Sequence, residues 1–353
     1  MGNQMKKVLI VSSPFYGYQI SVGKAFRALG YEVRIETYDE PIHPFRGLLK
    51  WRHKFARDKE PLRRQSRARY DVYIKQVYDD FRPDIVFSYN GTILLDERLD
   101  YFRQKSKVII WMYDSVQRPD RARCEKHIDH ADAVFCFERN DVEYYAKQKK
   151  TAYFLPLACD TSVYYPIENQ KKDIDILFVA TLYTSPKRMR LIQSVVNHFP
   201  DANILIYGWY KPFVKMPLKC LFREKRGIYK NTNIPPEKVN ALFSRCKIAL
   251  NIHHEQTFQG ANQRLFEASG AGAYQICDAN PYIQSVFQHQ EVGLYHNEAE
   301  LLAQIQWALN ENNVQERNRR ALDAYRIVTE KHTFITRVRK MLATIGETEH
   351  SIS

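Results

Sequence analysis

The feature that most constrains this chain is an alternation of short apolar runs with longer mixed segments, begun once at Lys7 and again at Asp175. The runs KVLIVS (Lys7–Ser12), YEVRIET (Tyr31–Thr37), DIVFSY (Asp84–Tyr89), KVIIWMY (Lys107–Tyr113), AVFCF (Ala133–Phe137) and AYFL (Ala152–Leu155) read as strands of a first sheet. Helix-length segments separate them, which is the rhythm of an α/β protein with parallel sheets. The helix after the first strand runs to about Leu29 and stops at Gly30. A polar, Pro-bearing passage from Asp160 to Lys172 reads as a linker. The rhythm then restarts with DILFVA (Asp175–Ala180), NILIY (Asn203–Tyr207), IALNI (Ile248–Ile252) and GAYQIC (Gly272–Cys277). A helix from about Asn262 to Ser269 ends at Gly270, and Leu301, Leu302, Ile305, Ala308 and Leu309 lie at helical spacing. The expectation is two doubly wound α/β domains facing a central cleft.

Length agrees with that division, because 353 residues is more than one hydrophobic core usually serves. With 44% hydrophobic and 26% charged residues the composition is that of a folded globular protein. Apolar runs such as Val8–Val11 are far too short to cross a bilayer. The segment after the two N-terminal lysines argues against a signal peptide. Six cysteines without a CxxC pair point to reduced thiols in an intracellular protein, and exclude a disulfide scaffold or structural zinc.

The net charge of +13 asks for an anionic partner. The excess is local, in Arg46–Lys75 and Lys211–Lys230, where aromatic and aliphatic residues interleave with the cations. That mixture suits an anionic membrane surface, and equally a solvated helix face. Nucleic acid ranks lower, since no zinc finger, helix-turn-helix or RNA-binding aromatic signature accompanies the charge.

In doubly wound sheets the ligand sits beyond the carboxyl ends of the strands. The residues to examine are therefore Ser13–Gln19, Asn90-Gly91, Asp114, Thr181–Arg188, Gly208 and His253–Gly260. The most informative stretch is ALNIHHEQTFQGANQRLFEASGAGAYQICD (Ala249–Asp278), in which Arg264 and Glu267 share one helix face. They read either as a cation for a diphosphate with a carboxylate for ribose hydroxyls, or as an intrahelical ion pair. Asp173-Ile174-Asp175 spells a DxD but precedes a strand, so it reads as structural. No GxGxxG follows the first strand, which argues against dinucleotide binding.

The pieces NQRLFEASGAGA (Asn262–Ala273), GLYHNEAELLAQIQWAL (Gly293–Leu309), KHTFITRV (Lys331–Val338), YFLPLACDTSVYYP (Tyr153–Pro166) and DILFVATLYTSPKR (Asp175–Arg188) resemble GT-B type glycosyltransferases, in particular the family of CgeB-like spore-maturation proteins. The resemblance covers about the last 200 residues, and the N-terminal half only in rhythm. It implies two Rossmann-like domains, an acceptor-binding one over residues 1–165 and a nucleotide-sugar-binding one over 166–325. A closing helix over 326–353 would pack back on the first.

The same resemblance implies transfer of a sugar from a nucleotide-diphosphate donor to a hydroxyl of a glycan, in bacterial cell-surface polysaccharide synthesis, and the basic clusters suggest that this glycan is lipid-linked. It implies no metal and no cofactor besides the nucleotide-sugar co-substrate, since protein cations neutralise the leaving diphosphate. Glu267 would bind the donor ribose and Arg264 face the diphosphate, with Asn262 in the same motif. Lys187 or Arg188 would be a further phosphate cation. From their place after the ALNI strand, His253 and His254 read either as contacts to donor phosphate or sugar or as structural histidines. Many retaining relatives carry a glutamate eight residues before the ribose glutamate, and here that position is Gln259. An inverting reaction needs a general base, for which Asp114 is the first candidate and His43 the second. Asp114 could equally cap a following helix. The competing readings are a nucleotide-sugar epimerase of the same fold and a non-catalytic nucleotide or polyanion binder. The expected location is cytoplasmic, peripheral on the inner face of the membrane.

Overall fold

The computed structural model describes residues 5–14, 16–38, 60–91, 93–116, 118, 127–182, 184–208, 228–230 and 232–347, with the backbone alone at 60–65. His43, Cys124, Cys220 and most of both basic clusters lie outside these residues. The chain divides into two compact units, Met1–Leu155 with Phe334–Ser353, and Pro156–Thr333.

The first unit is built on six parallel strands, β1 (Lys7–Ser12), β2 (Glu32–Thr37), β3 (Ile85–Tyr89), β4 (Lys107–Met112), β5 (Ala133–Cys136) and β6 (Tyr153–Phe154), in the order β2-β1-β3-β4-β5-β6. Its central strands are unbroken apolar runs because both faces are covered; Val8–Val11 and Val108–Met112 are fully buried. At the sheet's edge β2 alternates instead and stays half-exposed. Helices α1 (Tyr18–Ala28), α2 (Glu60–Phe81), α3 (Asp96–Arg103) and α4 (Arg139–Lys147) follow the strands. α1 ends as its sequence requires: Gly30 takes φ 85°, and the N–H groups of Gly30 and Tyr31 close onto the carbonyls of Arg27 and Phe26. α2 lays Tyr70, Ile74, Val77 and Tyr78 on the core, the Tyr78 ring stacking on Phe102 of α3 at 4.5 Å.

The second unit repeats the plan with β7 (Ile174–Val179), β8 (Ile204–Tyr207), β9 (Tyr229–Lys230), β10 (Cys246–Asn251), β11 (Gln275–Asp278) and β12 (Gly293–Tyr295), ordered β12-β11-β10-β7-β8-β9 and all parallel. Its helices are α5 (Pro186–His198), α6 (Pro236–Arg245), α7 (Gln263–Gly270), α8 (Pro281–Val286), α9 (Glu298–Leu309) and α10 (Val314–Lys331). The last helix, α11 (Phe334–Thr344), belongs to the first unit and packs on α1. Among the described residues no helix is long and apolar enough to cross a membrane.

Strand order decides where ligands can sit. The chain reverses its direction of growth between β1 and β3 in the first sheet and between β7 and β10 in the second. The crevice beyond the carboxyl ends of such a strand pair is the binding position of doubly wound sheets.

Several elements depart from the sequence expectation. The strand expected from Gly272 begins at Gln275, because Gly272 (φ 70°) and Ala273 are spent closing α7. The short strands β9 and β12 and the helices α6 and α8 were not expected. The passage Asp160–Lys172 is not a free linker: Tyr164 is buried, and the N–H groups of Tyr165 and Ile167 donate to Asn240 and Ser244 of α6. The chain divides at Leu155/Pro156 and Thr333/Phe334, where the resemblance had implied boundaries at 165/166 and 325/326. Leu157, Ala158 and Cys159 are buried in the second unit, and residues 326–331 complete α10 there.

Candidate active site

In the first unit the switch-point edge carries Ser13, Asn90, Gly91, Tyr113 and Asp114. Asn90 and Gly91 both take positive φ, 54° and 66°, in the turn after β3. A Cβ on Gly91 would stand 2.9 Å from the His127 ring, so the turn admits only glycine. The Asn90 amide then spans the edge: its Oδ1 accepts from the Tyr113 N–H at 2.9 Å, and its Nδ2 lies 3.4 Å from Asp114 Oδ2. Arg118 pairs with the other carboxylate oxygen at 3.0 Å. Asp114 is 8% exposed and held by an amide and a guanidinium; the capping alternative falls on residues 119–126, outside those described. Gly17 takes φ 78° with open space where a side chain would go, and its carbonyl begins α1 by accepting from Ile20 and Ser21.

In the second unit the edge between β7 and β10 is more highly built. Pro186 opens α5 and Ser185 caps it, its hydroxyl accepting from the Arg188 N–H at 3.2 Å. Glu255, in the loop after β10, accepts the Lys187 backbone N–H at 2.9 Å. Burial would raise the Glu255 carboxyl, but hydrogen bonds from Ser185 and from that N–H hold it below its ordinary value. The N-terminus of α5 thus carries a carboxylate, as its dipole favours.

Asp278, the last residue of β11, is the hub. Its Oδ1 accepts the backbone N–H of His253 at 2.8 Å and the His253 Nδ1–H at 2.9 Å. Its Oδ2 pairs with the Lys187 ammonium at 2.8 Å. Burial opposes ionisation of this carboxyl, yet His253 and then Lys187 hold it far below the usual carboxylate range. His253 is completely buried, while the Lys187 side chain is 30% exposed.

The remaining sequence-derived residues are placed as follows. Arg188 is buried and braces two loops, donating through Nε to the Ile252 carbonyl at 2.7 Å and through Nη1 to the Thr181 carbonyl at 2.9 Å. Burial pulls its guanidinium down to about 10. Asn262 caps α7 through Leu265 N–H at 3.1 Å and exchanges amide hydrogen bonds with Asn251 at 2.7 and 3.1 Å. Arg264 and Glu267 face each other with Nη1 and Oε2 2.6 Å apart, the Glu267 side chain 1% exposed. The ion-pair alternative of their three-residue spacing is thus the arrangement present. Tyr164 lies against both groups, and the Arg264 guanidinium sits 5.8 Å from the Phe243 ring centroid.

Asp173 and Asp175 sit at the amino end of β7, in ion pairs with Arg245 and Lys247 at 2.5 and 3.0 Å. That agrees with the structural reading of the DxD. Cys136, Cys159, Cys246 and Cys277 are buried free thiols.

The structure brings together Lys187, Arg188 and His253, and adds two residues that sequence reasoning had not assigned, Asp278 and Ser185. The signal for Asp278 was present, since it ends a strand run at the carboxyl edge. Glu255, within the His253–Gly260 stretch singled out after β10, has its partners at the start of α5.

Residues 187–343 match the family model described as glycosyl transferase-like. No curated protein sequence matches the chain. Among solved structures, sucrose-phosphate synthase from Thermosynechococcus elongatus superposes with a TM-score of 0.68 at 12% identity, covering 96% of this chain and 98% of that one. The UDP-forming trehalose-phosphate synthase from Burkholderia xenovorans gives 0.64 at 11% identity, over 98% and 100% of the two chains. HepE from Anabaena in complex with UDP-glucose gives 0.64 at 12%, over 96% and 99%. By sequence residues 187–343 are glycosyl transferase-like, and the two Rossmann-like sheets of the whole chain have the GT-B fold.

Proposed function

We propose that this protein is a glycosyltransferase that takes a sugar from a nucleotide-diphosphate donor held at the β7–β10 edge of the second unit. The observation that carries the reading is the Lys187–Asp278–His253 constellation at the switch point, within the glycosyl transferase-like segment. Lys187 has the reach and charge to meet a diphosphate, exchanging Asp278 for it, and the N-terminal turn of α5 favours an anion beside it. As the glycosidic bond breaks, negative charge grows on the leaving diphosphate, and a cation there stabilises the transition state more than the ground state. This neutralisation is assigned to protein cations rather than a metal, in keeping with a DxD already committed to Arg245 and Lys247. The ribose role of Glu267 requires the Arg264 pair to open, so the proposal does not rest on it.

The HepE neighbour holds UDP-glucose, which makes uridine nucleotides the first donors to try. The acceptor is a glycan hydroxyl in surface polysaccharide synthesis, with Asp114 as the base that removes its proton. The +13 charge supports work in the cytoplasm beside an anionic membrane surface that presents a lipid-linked acceptor.

The test is a thermal-shift panel of UDP, GDP, dTDP and their sugar forms, followed by assay of nucleoside diphosphate release with and without EDTA. Donor-dependent release that survives EDTA and falls at least about tenfold in Lys187→Ala supports the reading. Isomerised donor without free diphosphate would make the protein an epimerase. Binding that is steeply salt-dependent and indifferent to Lys187 would make it a polyanion binder.

A further inference from the structure

We infer that His253 reads the sugar of the donor, its Nε2 accepting a hydrogen bond from one sugar hydroxyl, and that Asp278 is the positioning residue that presents it. The inference rests on the nucleotide-sugar reading above and names the residue that recognises the transferred group.

Asp278 Oδ1 stands 2.9 Å from His253 Nδ1 and accepts the backbone N–H of the same residue at 2.8 Å. An ionised carboxylate has no proton to give, so Nδ1 carries the hydrogen. With its hydrogen on Nδ1 the ring presents Nε2 as a bare acceptor, and the Nδ1–H bond to a carboxylate that the backbone N–H also holds sets the ring's orientation. That Nε2 is buried and makes no hydrogen bond among the described residues. A buried polar atom without a partner is rare, because desolvation is lost without recompense, and a ligand is its natural complement.

The neighbouring groups narrow the partner. The ring shares this edge with Asp278 of β11, Lys187 and Arg188 of α5, His254 and Glu255 of its own loop, and Tyr295 of β12. Arg188 is spent on two carbonyls, and Glu255 is engaged by Ser185 and the Lys187 N–H. Lys187 is the group suited to phosphate. An acceptor nitrogen repels phosphate oxygens and fits a hydroxyl, which in a nucleotide sugar the transferred ring supplies next to the diphosphate. His253 also directly follows β10 at the switch point, where a doubly wound sheet receives its ligand.

The experiment is isothermal titration of the full chain with UDP and UDP-glucose, GDP and GDP-mannose, and dTDP and dTDP-glucose, using the pair that binds wild type. His253→Asn keeps a side-chain N–H near the position of Nδ1 and removes Nε2. Its affinity for the nucleotide sugar is expected to fall about tenfold while affinity for the bare diphosphate stays within about twofold. Its unliganded melting temperature is expected not to fall, since an unpartnered buried atom has gone.

Equal weakening of both ligands, or of neither, overturns the inference. A second measurement needs no variant: among monodeoxy forms of the bound nucleotide sugar, one should lose about tenfold against wild type. If no single hydroxyl matters, or if the sensitive one matters equally in His253→Asn, His253 does not read the sugar. Failure of wild type to bind any of the pairs is a separate result, which removes the nucleotide-sugar reading itself.

Discussion

Replacing Asp278 by Asn isolates the hub of the second unit. The carboxylate accepts two hydrogen bonds from His253 on one oxygen and the Lys187 ammonium on the other. Asparagine preserves one acceptor but makes it neutral, and turns an amino group toward the ammonium. Exchanging charge-assisted for neutral acceptance at His253 costs about 1 kcal/mol. The lost pair with a Lys187 side chain that is 30% exposed adds about 1 kcal/mol after screening. A loss of about 2 kcal/mol lowers Tm by about 4–8 °C in a domain of this size. Because the folded-state carboxyl is depressed below its unfolded value of about 3.9, the contribution is complete at higher pH and is lost as pH falls through that value toward the folded one. Circular-dichroism melts of both proteins from pH 3.5 to 8 should show a constant gap above about pH 5 that narrows below about pH 4. A gap under about 1 °C at neutral pH, or one that widens on acidification, would refute the hub.

Other substitutions probe the frame around that edge. Gly208→Ala places a Cβ 1.8 Å from the Ala180 carbonyl oxygen, backbone that cannot yield cheaply, so urea unfolding should show a loss of about 3 kcal/mol. Glu267→Ala removes the carboxylate facing the Arg264 guanidinium and should cost about 3–5 kcal/mol in the unliganded protein; a cost under about 1 would show that the pair is not structural. Arg188→Lys cannot hold both the Ile252 and Thr181 carbonyls, and a loss of about 2 kcal/mol is expected by the same measurement. Gly270→Ala drives a methyl to 2.3 Å from Cys159 Sγ, and a drop of about 1–3 kcal/mol would register that overpacking.

Most of the fold could be read from residues alone because its strands are short apolar runs bounded by polar loops, and burial on two faces demands such runs. KVLIVS and KVIIWM could hardly be anything else. The strand expected over Ala152–Leu155 is present, shortened to Tyr153–Phe154, whereas Tyr229–Lys230 was hidden, since it exists through pairing with a neighbour rather than through a pattern of its own. The boundary near Pro156 was hidden for a related reason: a polar, proline-bearing passage looks like a linker until its few apolar members are seen to be buried in the second unit.

Order along the chain determined the two α/β units, the carboxyl edges and the candidates Asp114, Lys187, Arg188 and His253, because periodicity and strand ends are local properties. The choice between ligand grip and ion pair for Arg264 and Glu267 was left to tertiary structure, as was the gathering of Lys187, His253 and Asp278 around one carboxylate. Those residues lie 91 and 25 positions from Asp278. Charge and hydrogen bonding act through space over a few ångströms, and only the parallel stacking of β7, β10 and β11 brings such distant positions within that range.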